Sequence, residues 1–372
     1  MSAATLALKN FWAYLWRTLL VLLLVLLLFE IALRVKSWMY HQSTGQNASH
    51  TVFLEHYGYN PFLIIGPDIN KKVPQAGGQT ANWNGQGFRM DEELELDKTP
   101  GEYRIFALGG STTEDLTNGQ NLHYCGLAND FLKEKFPEGD IRCINAGKSA
   151  FTSAHSLIRL ETDILPYKPD MITVMHNIND LTVNFYPNNG RYNYGNKYLS
   201  QTYAPALTPG AYVLHLLSGS RSVSYIVNTL HKLTLTKNVK FNPEPTKLVF
   251  EDAFQSYLIS IAAVAKARGI RVVFLTEPVT FAQDKFYTAF GITNDPVLYP
   301  TPEEFQKLFE QYNDVIRQVA RQTDSDLIDL EALVGHDEKY FIDVVHTNEL
   351  GVRRIGELYA QNLAAIIGKN LK

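Results

Sequence analysis

Five short apolar runs, alternating with stretches of helical periodicity, limit what this chain can become more than any other feature. They are Arg104 to Leu108, Ile141 to Ile144, Met171 to Met175, Arg271 to Leu275 and Asp326 to Leu330. Apolar runs of this length, flanked by turn residues, read as strands buried on both faces. Helices are predicted between them, over about 122–135, 152–164, 249–267, 302–321 and 348–368. Strands that alternate with helices in this way pair in parallel, with helices covering both faces of the sheet. Ligands in such folds bind beyond the carboxyl ends of the strands. The residues that follow those ends are therefore the ones to read for chemistry.

A different constraint acts at the N-terminus. From Thr18 to Phe29 the chain reads TLLVLLLVLLLF, without a charge. These residues alone rise about 18 Å as a helix, short of a hydrocarbon core of about 30 Å. Phe11, Trp12, Tyr14 and Trp16 before the run, and Ile31, Ala32, Leu33, Trp38 and Tyr40 after it, supply the missing length. Aromatic residues at both ends suit the two headgroup interfaces, and Arg17 can reach outward from its end. Glu30 is expected near the far interface. Glu30-Ile31-Ala32-Leu33-Arg34 offers no small-x-small cleavage site, so the segment reads as an uncleaved anchor. Lys9 and Arg17 on one side nearly balance Arg34 and Lys36 on the other, so charge alone leaves orientation open.

The 372 residues are accordingly divided into an N-terminal tail (1–10), a transmembrane anchor (11–36), a stalk and loop-rich extension (37–101) and a globular domain (102–372) with an insertion over 181–248. Phe62, Leu63, Ile64, Ile65 and Phe88 in the extension call for burial, which a mere linker would not provide. The insertion holds Tyr186, Tyr192, Tyr194, Tyr198, Tyr203 and Tyr212, a set suited to a lid or to a platform for sugar faces, or to ordinary irregular structure. Asn47-Ala48-Ser49 fits a glycosylation sequon, which matters only in a secretory pathway.

A net charge of −4, with lysine and arginine scattered, provides no basic field for nucleic acid. The two cysteines, Cys125 and Cys143, lack metal-ligand spacing. Buried thiols are the leading expectation, with a disulfide the alternative if the domain is exported.

The first predicted strand ends in Gly109-Gly110-Ser111-Thr112-Thr113, where two glycines permit a sharp turn that presents a serine at the top of the sheet. A serine hydroxyl needs a base within reach. Near the C-terminus, Phe341 to Gly351 reads FIDVVHTNELG, and Asp343 three residues ahead of His346 can orient that imidazole. His123, His155, His176, His215, His231 and His336 lack such a context and read as core or surface residues. Acyl transfer also needs donors aimed at an oxyanion. Asn145-Ala146-Gly147-Lys148 and His176-Asn177-Ile178-Asn179-Asp180, at two further strand ends, offer the Gly147 amide and the Asn179 side chain, beside the Ser111 N–H.

Taken in this order, Ser111, Gly147, Asn179 and Asp343-x-x-His346 resemble the blocks of the SGNH hydrolase superfamily, the GDSL-like esterases and lipases, over roughly residues 102–370. The resemblance implies a flavodoxin-like three-layer sandwich around a five-stranded parallel sheet. It assigns Ser111, Asp343 and His346 as a catalytic triad, and Ser111, Gly147 and Asn179 as the oxyanion hole. Gly110 stands where the name-giving family has Asp, and Asn177 replaces the usual glycine of the third block. Either Asn177 or Asn179 could then be the amide donor; Asn179 is preferred because Asp180 follows it. The stretch Asn84-Gly85-Gln86-Gly87-Phe88-Arg89 also looks like that of membrane-linked bacterial members.

The expected activity is ester hydrolysis through an acyl-serine, with no metal or organic cofactor. The substrate is expected to be an acylated glycan or lipid of the cell envelope, O-acetyl groups on a glycan first, with the catalytic domain periplasmic. The same residues could pass an acyl group to a sugar hydroxyl. A catalytically silent domain that binds glycan or scaffolds an assembly is the rival from another class.

Overall fold

A computed structural model of the chain describes residues 3–44, 58–60, 63–67, 69–74, 80–185, 220–223, 225–226, 229, 251–290 and 300–368. The tyrosines of the insertion, Phe62 and the sequon at Asn47 lie outside these residues. The chain divides into two units, one of Met1–His56 with Gln201–Asn238, the other of Tyr57–Ser200 with Val239–Lys372.

The first unit is built on one long helix, α1 (Ala3–Thr44). Within it, Asn10–Met39 holds an 18-residue window of mean hydropathy 2.6 and is long and apolar enough to cross a membrane; a signal sequence at this place passes the same test. Its leucines and aromatic residues are exposed, as a lipid-facing helix requires. Glu30 has partners within the unit. Its carboxylate accepts hydrogen bonds from the N–H groups of Arg221 (3.0 Å) and Ser222 (2.7 Å), from Ser220 Oγ (3.0 Å) and from Arg34 Nε (2.8 Å). The residue that hydropathy makes awkward thus caps the start of the helical stretch at Arg221.

The second unit opens with two antiparallel pairs, β1 (Gly58–Asn60) with β2 (Ile64–Gly66) and β3 (Lys71–Pro74) with β4 (Thr80–Trp83). Its sheet consists of β5 (Glu102–Gly109), β6 (Asp140–Asn145), β7 (Met171–Met175), β8 (Arg271–Leu275) and β9 (Asp326–Ile328), all parallel, in the order β6-β5-β7-β8-β9. Alternate residues of each strand enter opposite cores. Phe106, Leu108, Ile172, Val174, Val272 and Phe274 pack beneath the helices 251–267 and 302–322. Ile105, Ala107, Met171, Met175, Val273 and Leu275 pack beneath the helices 124–135 and 349–368. This is the three-layer fold expected from the alternation of strands and helices.

Element ends follow local chemistry. Thr301 and Glu304 form a reciprocal capping box, with proline at the first turn, at the start of Pro302–Gln322. The fifth strand stops at Ile328, two residues before its expected end. Asp329 caps a short helix, Leu330–Val334, which draws Leu330 out of the sheet. The helix expected over 152–164 is regular only over Ser153–Arg159, then widens into a π-turn and a 3₁₀ turn. Cys125 and Cys143 are joined in a disulfide, with Cα atoms 5.6 Å apart. The expectation of buried thiols is corrected, because the helix Tyr124–Lys135 lies directly over β6. Such proximity depends on packing and is invisible to sequence spacing.

Candidate active site

The strand order reverses at β5: the chain leaves it for β6 on one side and returns to β7 on the other. The crevice beyond the carboxyl ends of these strands is where an open sheet of this kind holds a ligand. Ser111 stands there, as the first residue of the short helix α2 (Ser111–Glu114) that follows β5. A Cβ on Gly110 would lie 2.5 Å from the Asn179 amide nitrogen, so a larger residue here would displace that side chain.

The distant histidine reaches the serine. His346 Nε2 lies 2.8 Å from Ser111 Oγ, and His346 Nδ1 lies 2.7 Å from Asp343 Oδ2. The turn that carries them is closed by a bridge between Phe341 and Thr347 and by a 2.7 Å bond from Ile342 N–H to the His346 carbonyl. Asp343 Oδ1 accepts from the N–H groups of Val345 (3.0 Å) and His346 (2.8 Å), which fixes the carboxylate while its other oxygen faces the ring. Burial pulls the His346 pKa down, but the hydrogen bond and charge of Asp343, helped by Glu277 and Asp115, outweigh it and hold the ring above its ordinary value. For Asp343, burial pushes upward and the bonds to His346 and to the two backbone amides win, leaving it below the usual carboxylate range.

The two asparagines after β7 separate clearly. Asn177 turns inward, donating to the Phe309 carbonyl (2.9 Å) and to Asn313 Oδ1 (3.0 Å). Asn179 lies on the short helix Ile178–Thr182, beside Gly110, and donates to the Phe151 carbonyl (3.0 Å). Gly147, the other expected donor, lies in the loop after β6. Its N–H donates to Asn145 Oδ1 (2.9 Å), and a Cβ on it would meet the Glu114 N at 2.5 Å. It is the glycine that lets the loop after β6 press against α2, and its amide is engaged within that loop. Three residues on, Ala150 holds a left-handed φ of 71°, and its N–H has no hydrogen-bond partner among the described residues. Nothing in the sequence distinguishes this alanine, because its φ is a property of the folded backbone.

Several further groups fix the corner. Asn145 Nδ2 donates to the Thr113 carbonyl at 2.7 Å, tying α2 to the loop after β6. The fully buried Glu114 carboxylate meets Lys148 Nζ at 3.1 Å and accepts from the Ser149 N–H and hydroxyl. Burial pushes its pKa up, but Lys148 and Ser149 prevail and hold it low. Arg89, from the extension, is buried and donates to the carbonyls of Glu114, Asp115, Asn118 (2.7 Å) and Gly119 (2.8 Å). The Glu114 and Asp115 carbonyls close α2 and have no intrahelical partner of their own, so the guanidinium satisfies them in a dry environment. Glu277, two residues beyond β8, accepts from Thr112 Oγ (2.7 Å) and the Ile178 N–H (2.8 Å). Of the other histidines, His123 caps the helix Tyr124–Lys135, and His176, buried and pulled down to about 3, bonds Ser156 Oγ at 2.7 Å. Among the described residues no cluster of His, Cys, Asp and Glu could hold a metal.

The model of the GDSL-like lipase/acylhydrolase family matches residues 107–354. No curated protein sequence matches the chain. Among solved structures it is similar to an acetylxylan esterase from Geobacillus stearothermophilus, at 16% identity and a TM-score of 0.41, over 70% of this chain and 93% of that one. It is similar also to a GDSL-like lipase from Bacteroides thetaiotaomicron, at 15% identity and 0.42, over 73% and 93%. A third is an alpha/beta hydrolase from the metagenome of Lake Arreo, Spain, at 17% and 0.41, over 69% and 93%.

Proposed function

Because the chain belongs to the GDSL-like lipase/acylhydrolase family and is therefore an ester-hydrolysing enzyme, we propose that Ser111, His346 and Asp343 are the groups with which it cleaves its ester. The observation that carries this reading is the unbroken relay from Ser111 Oγ through the His346 ring to Asp343, at 2.8 and 2.7 Å. Ser111 Oγ attacks the acyl carbonyl carbon as its proton passes to His346 Nε2. Asp343 keeps Nδ1–H directed at itself, so that Nε2 is the basic nitrogen, and stabilises the imidazolium once formed. Collapse of the tetrahedral adduct breaks the ester C–O bond, and the leaving alkoxide takes the proton from Nε2. Water then gives its proton to His346 as it attacks the acyl-serine, and the acid departs from Ser111.

The negative charge on the tetrahedral oxygen needs donors. The Ser111 N–H and the Asn179 amide are two. Gly147 is not suited to be the third, since its N–H is held by Asn145. The Ala150 N–H takes that place in our reading; the adjoining Phe151 carbonyl lies beside Gly110 and the Asn179 amide, which supports it.

The substrate we propose is an acyl ester, O-acetyl first, on a glycan of the cell envelope, with the domain held at the membrane by an uncleaved helix. The apolar span Asn10–Met39 supports the anchor, and the Cys125–Cys143 disulfide supports an oxidising, extracytoplasmic setting. Fluorophosphonate labelling of the wild type that is lost in Ser111→Ala tests the nucleophile. Release of acetate or fatty acid from acetylated glycans and phospholipids, compared between the two proteins, tests the substrate. Absence of labelling in folded wild-type protein would overturn the assignment, and release of fatty acid alone would move the substrate to a lipid.

A further inference from the structure

We propose that Glu277 is a positioning residue of this site, one whose two oxygens hold the serine turn and the Asn179 helix in register while its charge faces the His346 ring. The inference rests on the hydrolytic reading above and adds to it a group outside the triad.

Three observations carry it. First, Glu277 is 2% exposed, and no lysine or arginine among the described residues pairs with it. A carboxylate is costly to bury in that state, so its retention calls for a reason. Second, each oxygen has its own partner. One accepts from the hydroxyl of Thr112, next to the nucleophile, and the other from the N–H of Ile178, next to Asn179. The backbone is gripped as well: Asn313 Oδ1 accepts from the Glu277 N–H, and Asn313 Nδ2 donates to the Glu277 carbonyl, both at 3.0 Å. The same Asn313 oxygen accepts from Asn177, so the loops after β7 and β8 are stitched through one amide. Third, burial pushes the Glu277 carboxyl above its ordinary value, and the donors at Ile178 and Thr112, one on each oxygen, act against that and favour the charged form.

The surrounding charges set what this carboxylate does. His346 is faced by Asp343, Glu277 and Asp115. Glu277 is faced by His346, Asp180 and Tyr124. When the Ser111 proton moves to His346, the charge of the new imidazolium acts on Glu277. Asp343 holds the ring through a direct bond; Glu277 adds negative field without touching it. It also fixes the positions of Ser111 and Asn179, on which attack and oxyanion binding depend.

The test is Glu277→Gln, which keeps size and an acceptor oxygen but removes the charge. Expected are an unchanged melting profile, a roughly tenfold fall in kcat on p-nitrophenyl acetate with KM unchanged, and an acid limb of kcat/KM moved down by roughly half a unit to one unit. Glu277→Asp, which restores the charge, is expected to return the limb toward its original midpoint. The His346 ring is titrated in parallel by NMR of ¹³C-labelled histidine in Ser111→Ala, with and without Glu277→Gln, and should show the same downward movement without any turnover. A limb and a ring titration that both stay in place would overturn the proposal. Failure of Ser111-dependent hydrolysis in the wild type would instead defeat the hydrolytic reading, while the ring titration still decides what Glu277 does. Should Glu277→Gln not fold, Thr112→Val cuts one tether and leaves the charge; an unaltered kcat in that variant would overturn the positioning role.

Discussion

His346 Nε2 stands 2.8 Å from Ser111 Oγ although 235 positions separate the two residues in the chain. That distance makes the hydroxyl and the ring one acid–base unit, and the pH behaviour follows from it. The ring must be neutral to accept the serine proton, and Asp343 holds it protonated above its ordinary value. Hydrolysis should therefore rise with pH through a midpoint above about 6.5. In Asp343→Asn the midpoint should fall, with kcat down by on the order of 10³–10⁴. A pH series of kcat/KM on a small ester checks both.

The same pair links folding to pH, with opposite signs for its members. The lowered Asp343 contributes stability that is present above its unfolded value, 3.8, and lost as pH falls through the lower folded one. The raised His346 contributes stability that is present below its unfolded value, 6.5, and lost as pH rises through the higher folded one. The pair should therefore stabilise most between those unfolded values. Thermal melts of wild type and Asp343→Asn across pH 3 to 9 should differ most in that window and converge outside it.

Asn179 places its amide beside Gly110, where our reading puts the oxyanion, so Asn179→Ala should lower kcat by about 10²–10³-fold with little change in KM. Its melting temperature should move by a few degrees at most, since a hydrogen bond such as the one to the Phe151 carbonyl contributes about 1 kcal/mol. Turnover near that of the wild type would remove Asn179 from the donor set.

Lys148 and Glu114 form a buried pair behind the nucleophile turn. Lys148→Met leaves the carboxylate buried without its cation and should destabilise the fold by about 3–5 kcal/mol. Adding Glu114→Gln should recover part of that loss. Denaturant melts of the single and double variants measure the coupling.

Ala150 pays a steric penalty for its left-handed φ of 71°. Ala150→Gly should relieve about 1 kcal/mol of strain and keep the amide where it is. The variant should melt higher and hydrolyse esters at a rate close to the wild type. A large loss of turnover would mean that the methyl group, and not only the N–H, serves the site.

The sequence by itself determined the layers of the fold, because burial on both faces leaves a recurring apolar run that needs no partner to be recognised. The strand ends, read at Leu108, Ile144 and Met175 and found at Gly109, Asn145 and Met175, were legible for that reason, and with them the places of Ser111 and Asn179 just beyond them. Asp343 and His346 were legible as a local pair, three residues apart on one turn. Tertiary structure alone decided the rest. That the Gly147 N–H meets Asn145 Oδ1, while Ala150 takes a left-handed φ, depends on backbone conformation and on what a Cβ would strike. That Cys125 meets Cys143 depends on a helix settling over a strand. That Glu277 joins Thr112 to Ile178 depends on three chain segments converging at one end of a sheet. Periodicity records which face of an element avoids water, but not which side chains from distant segments come within hydrogen-bonding distance; packing sets that.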